Sequence, residues 1–164
     1  MWHLLAACLV SLCSSDPLDG LDRDARSFSA WEQSYDAPTG SSREHELGRL
    51  ARIVVTVLGA EIREEAIGHV SGYTIRQERT IVLDSSLSPD AKLEVLAHEA
   101  GHLLQPPGLT DGEGQVFADA VSYLVTRGNR RTYARYLSGH KSALSVLRTY
   151  RREIRWAAKV LGGQ

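Results

Sequence analysis

The chain has 164 residues, 43% of them apolar and 24% charged. That is enough for one domain with its own core, and it is neither a disordered nor a fibrous composition. Two cysteines, Cys8 and Cys13, exclude a disulfide framework, and no apolar run is long enough to cross a membrane. The net charge of −1 conceals a polarity along the chain. Residues 1–126 carry 9 Lys/Arg against 19 Asp/Glu, whereas residues 127–164 carry 10 Lys/Arg against Glu153 alone. A basic tail of this kind suits contact with a nucleic acid or an acidic partner, or it forms the solvated face of a helix.

Residues 4–13 (LLAACLVSLC) form a short apolar run. It lacks a basic flank and a clear small-residue cleavage site. The reading is a cytoplasmic protein, with a signal peptide over residues 1–15 as the open alternative. Residues 14–43 are rich in Asp, Ser and Gly and read as a poorly packed linker, so residues 1–43 are expected to be an N-terminal extension and residues 44–164 the domain. Glu44–Leu58 shows helical periodicity through Leu47, Leu50, Ala51, Val54, Val55 and Leu58, with Gly59 as its stop. His69–Ile75 and Thr80–Asp84 flank the polar turn 76–79 and predict a β-hairpin.

A helix follows. Ser88-Pro89-Asp90 is an N-cap, a proline at the first helical position and an acid in the first turn. Leu93, Leu96, Ala97, Ala100, Leu103 and Leu104 make one buried stripe, and Pro106-Pro107-Gly108 ends it. Within this helix lies the most informative stretch, His98-Glu99-Ala100-Gly101-His102, which reads HExxH. Histidines four apart share a helix face, so both imidazoles can grip one Zn²⁺ while Glu99 acts as general base. Gly101 weakens a helix by roughly 1 kcal/mol relative to alanine. It is either a mild defect or a place where another backbone packs close.

Thr110-Asp111-Gly112-Glu113 opens a further helix with a capping box, which carries Val116, Phe117, Ala120, Val121 and Leu124 inward and breaks at Gly128-Asn129. Tyr133–Leu137 predicts a short helix, and Ser142–Leu161 a last amphipathic and basic one. The class is therefore α+β, mostly helical, with a short hairpin preceding the HExxH helix.

These motifs resemble the ImmA/IrrE-like and ArdC-like zincin metallopeptidases of phages, plasmids and bacterial genomes. Residues 72–104 (GYTIRQERTIVLDSSLSPDAKLEVLAHEAGHLL) are similar to their hairpin, strand and HExxH helix. QVFADAVSYLV (115–125) is similar to their second motif, and residues 133–161 to their last helices, with His140 at a usual tryptophan position. The resemblance implies a small zincin-like domain, with a short β-hairpin or sheet packed beside the HExxH helix, that cleaves a protein or peptide substrate, a regulatory protein of a mobile element or its host. It also implies that the first residue of the second motif, here Gln115 in place of glutamate, is the third metal ligand. A glutamine binds zinc more weakly than a carboxylate. Asp119, one turn on, is therefore the first choice as third ligand or as acceptor behind a ligating histidine, with Gln115 and Glu113 as alternatives. For Glu113 the competing role is the capping box. Tyr123, Tyr133 and Tyr136 are candidate oxyanion donors or core tyrosines. The alternative to an enzyme is a zincin-fold binding module, acting on protein or nucleic acid, whose turnover is weakened or lost.

Overall fold

A computed structural model of the chain describes residues 41–128, 133–134 and 137–163. The apolar run at residues 4–13, both cysteines, Tyr136 and almost all of the expected extension lie outside the described residues. The first element among the described residues is helix α1 (Ser41–Thr56), which begins three residues before Glu44 and takes in the end of the anticipated linker. Its start is tied down by Arg43, whose buried guanidinium donates to the Thr126 carbonyl at 2.9 Å. The helix stops before Gly59, which adopts φ +60°, a conformation that glycine alone accepts without strain.

Three strands follow: β1 (Glu61–Glu65), β2 (Gly72–Ile75) and β3 (Thr80–Asp84). The expected hairpin is present as the antiparallel pair β2–β3, with Tyr73 opposite Val82 and Thr74 opposite Ile81. Its first strand begins at Gly72 rather than His69. β1 was not anticipated; it runs parallel to β3, Glu61 against Thr80, so that β3 is central in the order β1-β3-β2. Burial explains the difference in legibility. Every residue of β3 is buried, whereas β1 (EIREE) is almost wholly exposed and carries one apolar side chain. An edge strand held by ladder hydrogen bonds has no alternating pattern to show.

Helices α2 (Pro89–Leu104) and α3 (Asp111–Thr126) form the centre of the domain. Ser88 caps α2 by accepting from the Ala91 N–H, and Pro89 occupies its first turn. Thr110 and Glu113 form the reciprocal capping box of α3. Leu93, Leu96, Ala97 and Ala100 of α2 meet Val116, Phe117, Ala120 and Val121 of α3, all of them buried. Residues 133–134 and 137–138 are helical. The expected single last helix is two, α4 (Ala143–Thr149) and α5 (Arg151–Gly162), separated at Tyr150 with φ −105° and ψ 21°. Ile154, Ala157 and Leu161 turn α5 onto the core. The architecture is α+β and mostly helical, and no described helix is long and apolar enough to cross a membrane.

Gly101 is a packing residue. A Cβ added there would lie 3.0 Å from Ala118 Cα and 3.3 Å from its Cβ, so the two helix backbones touch at this point. We therefore expect Gly101→Val to destabilise the protein by about 1–3 kcal/mol in chemical denaturation, the usual cost of overpacking, although valine has the higher helix propensity. An unchanged midpoint would show that the crossing is loose.

Candidate metal centre

α2 and α3 are antiparallel neighbours, and their crossing at Gly101 and Ala118 pairs their polar residues in sequence. Ser122 Oγ donates to the Glu94 carbonyl at 3.0 Å, Asp119 faces His98, Gln115 faces His102, and Gly114 lies under the Gln105 amide. All of these residues except the buried Ser122 line one side of a cleft of about 670 Å³, with Ser71–Thr74 and Arg76 of the hairpin on the other side.

The two HExxH histidines converge. His98 Nε2 and His102 Nε2 are 3.1 Å apart, with the rings nearly perpendicular at 81°. His98 Nδ1 lies 2.9 Å from Asp119 Oδ1, and Asp119 is only 6% exposed. This carboxylate fixes the proton on Nδ1 and leaves the Nε2 lone pair facing the cleft. His102 Nδ1 lies 2.9 Å from Gln105 Oε1; with that oxygen accepting, the second Nε2 lone pair faces the same point. Turned by half a revolution, the Gln105 amide instead donates to His102 Nδ1 and accepts from Arg76 Nη1 at 3.0 Å and Nη2 at 3.3 Å. The His102 proton then sits on Nε2, shared with His98.

The charges around the pair are unequal. Burial pulls His98 downward, but the Asp119 hydrogen bond and charge, together with the Glu99 charge, outweigh it and hold its pKa above the ordinary histidine value. Burial holds His102 below that value, aided by the nearby His98 and Arg76.

Of the three candidates for a third ligand, Gln115 is the one at the shared face: its amide nitrogen is 3.3 Å from His102 Nε2. The amide's two ends differ only by a half-turn, so Oε1 can take the same place. Asp119, the first choice from the sequence, bonds the far nitrogen of His98 and sits behind the ring. Glu113 is half-buried, and its carboxylate accepts from the Thr110 N–H and hydroxyl, both at 2.9 Å. That network holds its pKa below the usual carboxylate range; it is committed to the cap. Among the described residues no three His, Cys, Asp or Glu side chains converge as a ligand set; the group nearest the two histidine Nε2 atoms from α3 is the Gln115 amide.

The separation of the two histidine Nε2 atoms, and that of the Gln115 amide nitrogen from His102 Nε2, are compatible with a tetrahedral ion. With metal–nitrogen distances of about 2.0–2.1 Å, ligand atoms stand roughly 3.3 Å apart, close to the 3.1 and 3.3 Å separations found.

Glu99 is 7% exposed. Its Oε2 lies 2.8 Å from the Thr74 hydroxyl, which is also 3.0 Å from the Glu99 carbonyl oxygen. Thr74 escaped the sequence reading, as did Gln105 and Arg76. The signal was available in part: Gly72 and Thr74 share one face of β2, and that face meets Val95 and Glu99, one turn apart on α2. A Cβ on Gly72 would lie 2.6 Å from Val95 Cγ1 and 2.9 Å from the Val82 carbonyl oxygen. Of the candidate oxyanion donors, Tyr133 lines the cleft but is buried, and its hydroxyl lies 2.6 Å from Ser122 Oγ. Ser122 gives its own proton to the Glu94 carbonyl, so Tyr133 donates to Ser122. Burial pushes the Tyr133 phenol upward. Tyr123 packs edge-on against it with ring centroids 5.5 Å apart. His140 also lines the cleft.

Compared with protein-family models, with curated proteins and with solved structures, the chain matches none. The resemblance drawn from its motifs rests on those residues alone.

Glu94 lines the cleft half-buried, and burial raises its carboxyl pKa. A raised carboxylate opposes folding: the native state holds the proton more tightly, so stability falls as pH rises from the unfolded value of about 4.3 through the folded one. Glu94→Gln is expected to raise the thermal midpoint near neutral pH and to leave it unchanged near pH 4. Equal shifts at both pH values would assign the effect to packing instead.

Proposed function

We propose that this protein is a zinc-dependent hydrolase, most simply a peptidase with a zincin-type site. The observation that carries the reading is the pair of Nε2 atoms 3.1 Å apart, aimed into an open cleft with a carboxylate behind one ring and Glu99 beside them. His98, His102 and the Gln115 amide are the three protein ligands, which leaves the fourth tetrahedral position open, as catalytic zinc sites require. Zinc bound there supplies a lowered water pKa and polarisation of the scissile carbonyl.

The remaining work belongs to the chain's own groups. Asp119 keeps the His98 ring in its ligating tautomer, and Gln105 can do the same for His102. Glu99, oriented by Thr74, takes the proton of the attacking water and passes it to the leaving amine. The peptide would lie in the cleft between the hairpin and α3. By the resemblance stated above, a regulatory protein is the substrate class. The second reading is a binding module that keeps the metal and has lost turnover. Gln115 favours it, because a neutral amide holds a dication less strongly than a carboxylate.

Elemental analysis of the purified protein should find about one zinc per chain, and His98→Ala/His102→Ala should lose it while keeping its helical circular dichroism. Full zinc in the double variant would refute the site. Glu99→Gln should retain metal and lose cleavage of casein or a pooled peptide library by at least about 100-fold; near wild-type turnover would end the hydrolase mechanism. Asp119→Ala should weaken zinc by about 10–100-fold, and Gln115→Glu should tighten it. If wild type cleaves nothing and Gln115→Glu does, the binding-module reading holds for the native chain. Glu113→Ala should lower thermal stability with zinc affinity unchanged.

A further inference from the structure

The cleft carries an unused charge at each end. Glu94, His98, His102 and Gln105 stand at i, i+4, i+8 and i+11 of α2 and its C-cap, so they follow one another along one helix face. β2 runs in the same direction: Gly72 meets Val95, and Thr74 meets Glu99. This brings Arg76, just past the end of β2, to Gln105, whose turned amide oxygen accepts from its guanidinium at 3.0 and 3.3 Å. Arg76 is the only lysine or arginine lining the cleft among the described residues. Of the acids there, Glu99 is taken up by Thr74 and Asp119 by His98. Glu94 and Arg76 form no ion pair among the described residues. Arg43, the cation whose charge reaches Glu94, is bonded to Thr126 and Glu46 instead. Asp111, the acid at the Arg76 end, is exposed in the first turn of α3, where the helix N-terminus offsets its charge.

We propose that the cleft selects its peptide by charge, holding a cationic group of the substrate at Glu94 and a carboxylate at Arg76, on opposite sides of the scissile bond. The inference rests on the peptidase reading above and deepens it to a substrate class. The helix carries Glu94 roughly 9 Å to one side of the midpoint between the histidines, and Gln105 roughly 7.5 Å to the other. An extended peptide advances about 3.3 Å per residue, so each charge falls about two to three residues from the bond. Roughly 16 Å separates the two ends along α2, twice the screening length of about 8 Å at physiological salt, so neither charge neutralises the other. Burial raises the Glu94 carboxyl pKa, as for an acid that has lost water without gaining a cation. A lysine, an arginine or a terminal amine of the substrate supplies that cation. The Arg76 fork keeps donors to spare beyond its neutral amide partner. It matches a carboxylate in two-point contact, whether from aspartate, glutamate or a chain terminus.

Fluorescence anisotropy of labelled peptides with the full-length Glu99→Gln variant, supplied with zinc, reads binding without cleavage. The probes carry lysine and glutamate about five positions apart, roughly 16 Å in extended chain, in both orders and with blocked ends. Controls replace both residues by glutamine, with the ends blocked or free. One order should bind about 10–100-fold more tightly than the blocked control and lose that advantage as salt rises. Adding Glu94→Gln should cost about 3–30-fold and abolish the preference for lysine, and Arg76→Gln should do the same for glutamate. Exchanging the charges, Glu94→Lys with Arg76→Glu, should make the reverse peptide the tighter one, which a merely structural role would not do. If the free-ended control binds as tightly as the charged probe, chain termini supply the charges; if it binds like the blocked control, side chains do. Equal binding of charged and neutral peptides would overturn the proposal. So would no binding of any peptide at low salt, or a preference that survives both glutamine variants. Cleavage by the wild-type protein separates the two readings. Charge-selective binding without turnover keeps this inference and ends the hydrolase reading, whereas turnover indifferent to charge does the reverse.

Discussion

The close crossing of α2 and α3 is the constraint on which the site depends. Each polar residue of the candidate centre on α3 is held against a partner on α2, and the separation of the two axes is set where Gly101 meets Ala118. A side chain at position 101 would part the helices at their midpoint. Asp119 is one residue from Ala118 and Gln115 three residues from it, so any separation there is passed directly to the His98–Asp119 and His102–Gln115 distances. A helix-weakening glycine, unfavourable by roughly 1 kcal/mol in isolation, is thus compatible with a well-packed core. The contact it allows is also the one that aligns the polar groups.

The second organising feature is the asymmetry between the two histidines. His98 is backed by a buried carboxylate, which favours a proton on Nδ1 and adds basicity to Nε2. His102 is backed by a neutral amide within reach of Arg76, and it is held below the ordinary value by burial. One ring therefore has its tautomer fixed by charge, whereas the other follows the orientation of Gln105. Gln105 stands at the end of α2, just before Pro106-Pro107, and its amide lies over Gly114, where an added Cβ would fall 2.9 Å from Oε1. A glycine in the first turn of α3 thus makes room for the group that governs the second histidine.

The hairpin supplies the opposite wall. β3 is central and wholly buried, which makes it the rigid member, and β2 lies between it and the solvent-facing cleft. Gly72 lets β2 approach Val95 closely, and this approach brings the Thr74 hydroxyl to Glu99. The Glu99 carboxylate is consequently oriented by a different element from the one that carries it, the kind of support that holds a buried polar group in one rotamer.

The sequence by itself determined the parts of this protein that depend on local periodicity and local capping. The HExxH pair on one helix face, the Ser88 and Thr110 caps, the buried stripes of α2 and α3 and the β2–β3 hairpin all follow from spacings of two, three and four residues. Gln115 stood out as a substitution in the second motif for the same reason. Tertiary structure alone decided which face of each candidate meets the histidines. Helical spacing puts Gln115 and Asp119 on one side of α3, but only the antiparallel register through Gly101 sets Asp119 at His98 Nδ1 and Gln115 at His102 Nε2. β1, the break at Tyr150 and the roles of Thr74 and Gln105 were likewise settled by long-range contacts. An exposed polar strand has no periodic signature, and a hydrogen bond between residues 25 positions apart leaves no trace in the spacing of either.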